Sequence, residues 1–166
     1  MMKANRYVLG LHPSSRGFGW VLLEGSGAPF DWGAAQIYGS KKNIRASARI
    51  ERLFEKYGPV VLCVEEFENL PSRRGVRIRN LYRRVVEVAA KRGMAVQIYS
   101  RSQIARTLNA KSGTRDEIAA KVADTIPALR PRLPHSRRPW DNERPTMAMF
   151  SAASCALTFI AGDRPT

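Results

Sequence analysis

Acidic residues are scarce in this sequence. Fourteen Asp and Glu face 28 Lys and Arg, which leaves a formal net charge of +14 and a pI near 10.7. Such an excess repels itself unless salt or a polyanion compensates it. Cysteine is nearly absent as well. Cys63 and Cys155 each stand among apolar residues, so they read as buried free thiols suited to a reducing cytoplasm. Their spacing excludes a disulfide scaffold and offers no zinc site. Long apolar runs are missing too. The run after Asn5 is far too short for a signal peptide or a membrane span. No basic amphipathic helix with Trp or Phe anchors stands out, which makes an anionic membrane the weaker partner. Internal repeats and low-complexity tails are also lacking.

What is present suits one α/β domain over residues 1–166. With 44% hydrophobic residues, a chain of this length buries a core without staples. Tyr7–Leu11, Phe18–Leu23 and Trp32–Tyr38 read as strands, joined by turn chemistry at 12–17 and 25–29. Asn43 is the expected N-cap of a helix whose apolar residues, from Ile44 to Tyr57, recur at helical spacing until Gly58-Pro59. Val60–Val64 is an unbroken apolar run, as in a strand buried on both faces. Arg73–Arg92 predicts a second helix, with Arg73, Arg77, Asn80, Arg84, Glu87 and Lys91 on one polar face. Met94–Tyr99 is a fifth strand and Ser102–Leu108 a short helix. A capping box at Thr114–Glu117 opens the next helix, which Pro127 closes. A basic, proline-rich loop, 130–139, leads to a last helix, 146–161, rich in small residues. The order is βββ-α-β-α-β-α-α-α.

The basic residues cluster. Arg73, Arg74, Arg77 and Arg84 follow the fourth strand, Arg101, Lys111 and Arg115 come next, and Arg137 and Arg138 lie before the last helix; Arg16 sits in the first turn. Acids are sparse in these stretches, so they read as a surface for phosphate backbones, bound by charge rather than base readout. A charge run is more often a solvated helix face. Phe67 and Tyr82 read as packing residues rather than base-stacking platforms.

Several motifs, taken in order, narrow the class. Residues 7–20, YVLGLHPSSRGFGW, resemble the opening of RuvC-type Holliday junction resolvases, where the first strand ends in an Asp-Pro-Gly-Ser turn. Leu62-Cys63-Val64-Glu65 resembles that family's second motif, an apolar strand ending in an acid. Residues 103–118 and 147–156 resemble its later helices. The resemblance spans nearly the whole chain. It implies an RNase H-like fold with a mixed five-stranded sheet, a three-stranded meander plus two parallel strands, flanked by helices. It also implies a homodimer on branched DNA and phosphodiester hydrolysis with Mg²⁺ or Mn²⁺ held by carboxylates.

The site departs from that pattern. His12 stands at the first acid, and imidazole is a poor Mg²⁺ ligand. In the last helix the family's acid falls on Ser151, or in another register the two acids fall on Glu143 and Thr146. The expected site is therefore His12, Glu65, Glu143 and Ser151, with Glu65, Glu143 and His12 as metal ligands and Arg115 toward the scissile phosphate. Glu65 follows a buried strand, at the sheet end where α/β folds place sites; Glu66 points the other way. Glu143 also suits a helix N-terminus, Asp141 a cap and His135 a loop. Three functions follow as rivals: a metal-dependent nuclease for branched DNA, a RuvC-like module that binds without cutting, and a structured-RNA-binding protein.

Overall fold

The computed structural model describes residues 6–70, 72–135 and 144–163. Tyr7–Ser14 (β1), Gly17–Glu24 (β2) and Pro29–Gln36 (β3) form an antiparallel meander. Val61–Glu65 (β4) joins β1 in parallel and Ala95–Tyr99 (β5) joins β4 in parallel, which gives the order β3-β2-β1-β4-β5. The helices are Lys42–Tyr57 (α1), Ser72–Lys91 (α2), Arg101–Thr107 (α3), Arg115–Thr125 (α4) and Met147–Asp163 (α5), with a 3₁₀ turn at Pro127–Arg132. The expected mixed five-stranded α/β architecture is what forms.

Side-chain alternation along the strands explains the layers. Val8, Val21, Val61 and Cys63 meet Ile118, Val122, Phe150 and Ala153 of α4 and α5. Leu9, Leu11, Leu22, Leu62 and Val64 meet Ile50, Phe54, Leu81 and Val85 of α1 and α2 on the other face. Both faces of β4 are thus covered, as its continuous apolar run requires.

Helix α5 is buried almost throughout, and its small residues let it lie directly on the strands. A Cβ at Gly10 would stand 2.0 Å from the carbonyl oxygen of Ala152, and one at Gly19 2.2 Å from the backbone of Ala148 and Met149.

Four local expectations are corrected. His12, read as part of a turn, is a residue of β1 paired with Gly19; only Ser15 and Arg16 turn. The third strand lies earlier, over Pro29–Gln36. Asn43 does not cap α1. The helix starts behind Lys41 in the left-handed region, and the Asn43 amide donates instead to the Arg77 carbonyl at 3.0 Å. Thr114 does cap α4, but Glu117 does not complete the box; its carboxylate accepts from the N–H and hydroxyl of Ser112 at 2.7 Å.

Candidate functional site

The site is built by two neighbouring parallel strands. Gly10 pairs with Cys63 in the last step of the β1–β4 ladder. Two residues further on, His12 and Glu65 stand level with one another at the carboxyl ends of their strands. Alternation from Val8 and Gly10, and from Val61 and Cys63, points both side chains to the α5 face. The ladder has already ended at Gly10 and Cys63, so the two strand ends part at the end of the sheet where open α/β folds place their clefts.

Both groups are held from the side. Arg101, the first residue of α3, donates Nε to Glu65 Oε1 at 3.3 Å and a terminal nitrogen to Oε2 at 3.0 Å. This is a two-pronged guanidinium–carboxylate pair, with 16% of the Glu65 side chain exposed and 36% of Arg101. The Tyr82 hydroxyl, on α2, lies 3.4 Å from His12 Nδ1. Burial raises the Tyr82 pKa further above neutrality, so the phenol stays protonated, and the imidazole tautomer decides which of the two groups donates. Phe67 stacks flat on Tyr82 at 4.5 Å, and both rings are buried, so they pack on one another.

The electrostatics of His12 follow. Burial first, then the charges of Arg115 and Arg101, push its pKa down to about 3. At neutral pH the ring is uncharged.

Ser151 is buried on α5. Ala152 lies over Gly10, and Ala148 over Gly19, the partner of His12, so this helical turn sits at the level of the cleft. Cys155, one turn beyond Ser151, feels the charges of Glu65 and Arg101. His12 and Glu65 thus share one sheet end, where the charges of Arg115 and Arg101 act on His12, and Ser151 lies on the α5 turn packed over that end. Glu143, Asp141, Arg137 and Arg138 lie outside the described residues.

The other basic residues divide. Arg16 is exposed at the β1–β2 turn, and Arg73 and Arg74 fall on the first turn of α2. Lys111 and Arg106 line an open groove with Ser102, Ala105, Asn109 and Ala110, beside α3. Arg77, half-buried, and Arg84, exposed, also bond to α1. Arg84 donates to the Ser47 hydroxyl at 2.9 Å. Arg77 donates to Asn43 Oδ1 at 3.1 Å and to the carbonyls of Ser14 and Ser15 at 3.3 Å, which ties the β1–β2 hairpin to both helices. We expect Arg77→Ala to cost about 2 kcal/mol of stability, read by urea denaturation, because it leaves several polar partners unsatisfied. Unchanged stability with weakened DNA binding would mean that Arg77 serves the ligand instead.

The comparisons agree with this topology. Thermus thermophilus RuvC in complex with a Holliday junction substrate superposes with a TM-score of 0.65 at 18% identity, over 92% of this chain and 91% of that one. This chain has the RuvC fold. A second Thermus thermophilus RuvC structure gives 0.60 at 20% identity over 92% and 91%, and the yeast mitochondrial Holliday junction resolvase 0.59 at 16% over 97% and 80%. No protein-family model and no curated protein matches the chain.

The RuvC-like fold raises the question of a metal. A pair of Mg²⁺ ions requires several hard oxygen donors. Among the described residues no three His, Cys, Asp or Glu side chains gather to hold an ion. Glu65 spends both oxygens on Arg101, His12 offers a buried neutral ring, and Ser151 a hydroxyl. These residues do not fit a two-Mg²⁺ centre.

Two features escaped the sequence reading: Arg101 as the partner of Glu65, and Tyr82 as the partner of His12. The first had a usable signal. Glu65 pairs with Tyr99 in the β4–β5 register, and Arg101 is only two residues further.

Proposed function

We propose that this protein is a RuvC-fold DNA-binding module that grips branched DNA at the β1–β4 sheet end without hydrolysing it by the two-metal route. The observation that carries this reading is the charge of the cleft. Glu65 is internally neutralised by Arg101, His12 is neutral, and the positive charge of Arg115 reaches His12. Such a site attracts a backbone phosphate rather than a pair of dications. The chain's +14 charge and the Arg106–Lys111 groove extend the attraction beyond the cleft. A second copy of the chain would match the two-fold symmetry of a four-way junction.

A second reading is a Mg²⁺- or Mn²⁺-dependent endonuclease on branched DNA, with Glu143 joining Glu65 and His12 as ligands. The level, same-face placement of His12 and Glu65 favours it. Among the described residues no helix is long and apolar enough to cross a membrane.

One experiment separates the readings. Purified protein is given a labelled four-way junction in EDTA, then in Mg²⁺ or Mn²⁺, with duplex DNA and structured RNA as competitors at fixed salt. Binding in EDTA with no product in either metal is expected. Product that disappears in Glu65→Gln would establish the nuclease. Preference for the RNA competitor would overturn the choice of DNA.

A further inference from the structure

We infer that Arg101 stands in cis where a metal-binding version of this site would carry its cation. The inference rests on the proposed reading of the cleft and explains how Glu65, the acid there among the described residues, is tolerated. A carboxylate with 16% of its side chain exposed needs a compensating positive charge. A divalent ion supplies that charge in sites with several acids. Among the described residues Glu65 is the acid at this sheet end, beside a neutral imidazole, so one positive charge in contact with it balances it. The guanidinium provides that charge and occupies both oxygens of Glu65 at 3.0 and 3.3 Å. Its planar fork suits this two-point contact.

The pair is built from the backbone up on both sides. The Glu66 N–H donates to the Tyr99 carbonyl at 2.8 Å, which fixes the end of β4 against the end of β5 immediately beside Glu65. Ser100 then caps α3. Its hydroxyl accepts from the Gln103 N–H at 3.2 Å, while Gln103 Oε1 accepts from the Ser100 N–H at 2.8 Å. That reciprocal cap sets where α3 begins, and so where Arg101 leaves the backbone. Two flexible side chains meeting by chance at a surface have no such support on either side.

The consequence is that acids alone do not restore a metal site. With Arg101 in place, an arriving cation must displace a guanidinium already bound to the central ligand and tolerate its charge nearby. With Arg101 removed, the Glu65 carboxylate becomes available to an oxygen-preferring divalent ion such as Mn²⁺.

The test is Mn²⁺ binding by isothermal calorimetry and electron paramagnetic resonance, without DNA, on wild type, Arg101→Met, Arg101→Lys and the double variant Arg101→Met/Glu65→Gln. Arg101→Met is expected to bind one Mn²⁺ at least about 10-fold more tightly than wild type, because a like charge in contact with the ligand is gone. The double variant is expected to lose that gain. Arg101→Lys, which keeps the charge, is expected to stay close to wild type. No gain in Arg101→Met, or tight Glu65-dependent binding in wild type, overturns the inference. Should Arg101→Met fail to fold, wild type still decides. Mn²⁺ titration followed by NMR is expected to spare the amides of His12 and Glu65 from paramagnetic broadening, and selective broadening there overturns the inference. The readout is independent of junction binding and cleavage, so each idea can fail while the other stands.

Discussion

Below about pH 6.5 the folded protein is expected to lose stability steadily, and His12→Asn to remove much of that loss. The His12 pKa falls from 6.5 in the unfolded chain to about 3 in the fold, through burial and the charges of Arg115 and Arg101. The unfolded chain therefore takes up a proton that the native state refuses. Stability from this group is fully present above pH 6.5. It declines as pH falls, and the loss is complete only below about pH 3. The slope approaches about 1.4 kcal/mol per pH unit, and the whole contribution is on the order of 5 kcal/mol. Asparagine keeps a hydrogen-bonding group for the Tyr82 hydroxyl but does not titrate. Urea denaturation of both proteins between pH 8 and pH 4 measures the difference, and carboxylates common to the two cancel. Parallel curves would show that the imidazole charges freely in the native cleft, and would reopen His12 as a cationic contact for phosphate.

The element order was readable because strand alternation, helical spacing and turn residues agreed along the chain. The failures are local and have causes. His12-Pro13-Ser14 looked like a turn because proline is rare in a paired strand. Beyond Gly10, however, β4 no longer pairs with β1, so one side of the strand has no neighbour requiring an N–H. Asn43 had the right chemistry for a cap, but Arg77, 34 residues away, offers its side chain a tertiary partner. On the polar row of α2, Arg77 and Arg84 also reach across to Asn43 and Ser47 of α1. Periodicity says which residues share a face and not what that face meets. The candidate site was readable as a list of positions, of which His12 and Glu65 stand two residues past the end of the β1–β4 ladder. Its charge balance was not readable, because Arg101 reaches Glu65 across 36 residues through strand register. That balance moves the functional reading from cleavage toward binding.

Gly19→Ala is expected to cost about 3 kcal/mol or more, and Gly10→Ala a similar amount. In each case the new methyl would meet α5 backbone at about 2 Å, at the Ala152 carbonyl for Gly10 and at Ala148 and Met149 for Gly19. Backbone cannot rotate aside as a side chain can, so the helix must lift from the sheet. Overpacking of this kind ordinarily costs about 1–3 kcal/mol, and a rigid neighbour takes it to the upper end or beyond. Gly162, in the exposed last turn of the same helix, is the control. A Cβ there meets nothing within 4 Å, so Gly162→Ala is expected to add up to about 1 kcal/mol through helix propensity. Chemical denaturation of the three variants measures the contrast. The loss at Gly19 also has a functional side. Gly19 pairs with His12, and the turn of α5 above it carries Ser151. A lifted α5 therefore widens the cleft where His12, Glu65 and Arg101 meet, and junction affinity is expected to fall even at temperatures where Gly19→Ala remains folded. Equal stability of Gly19→Ala and Gly162→Ala would mean that α5 does not lie on the strands as closely as Gly10 and Gly19 require, and the placement of Ser151 at the cleft would fall with it.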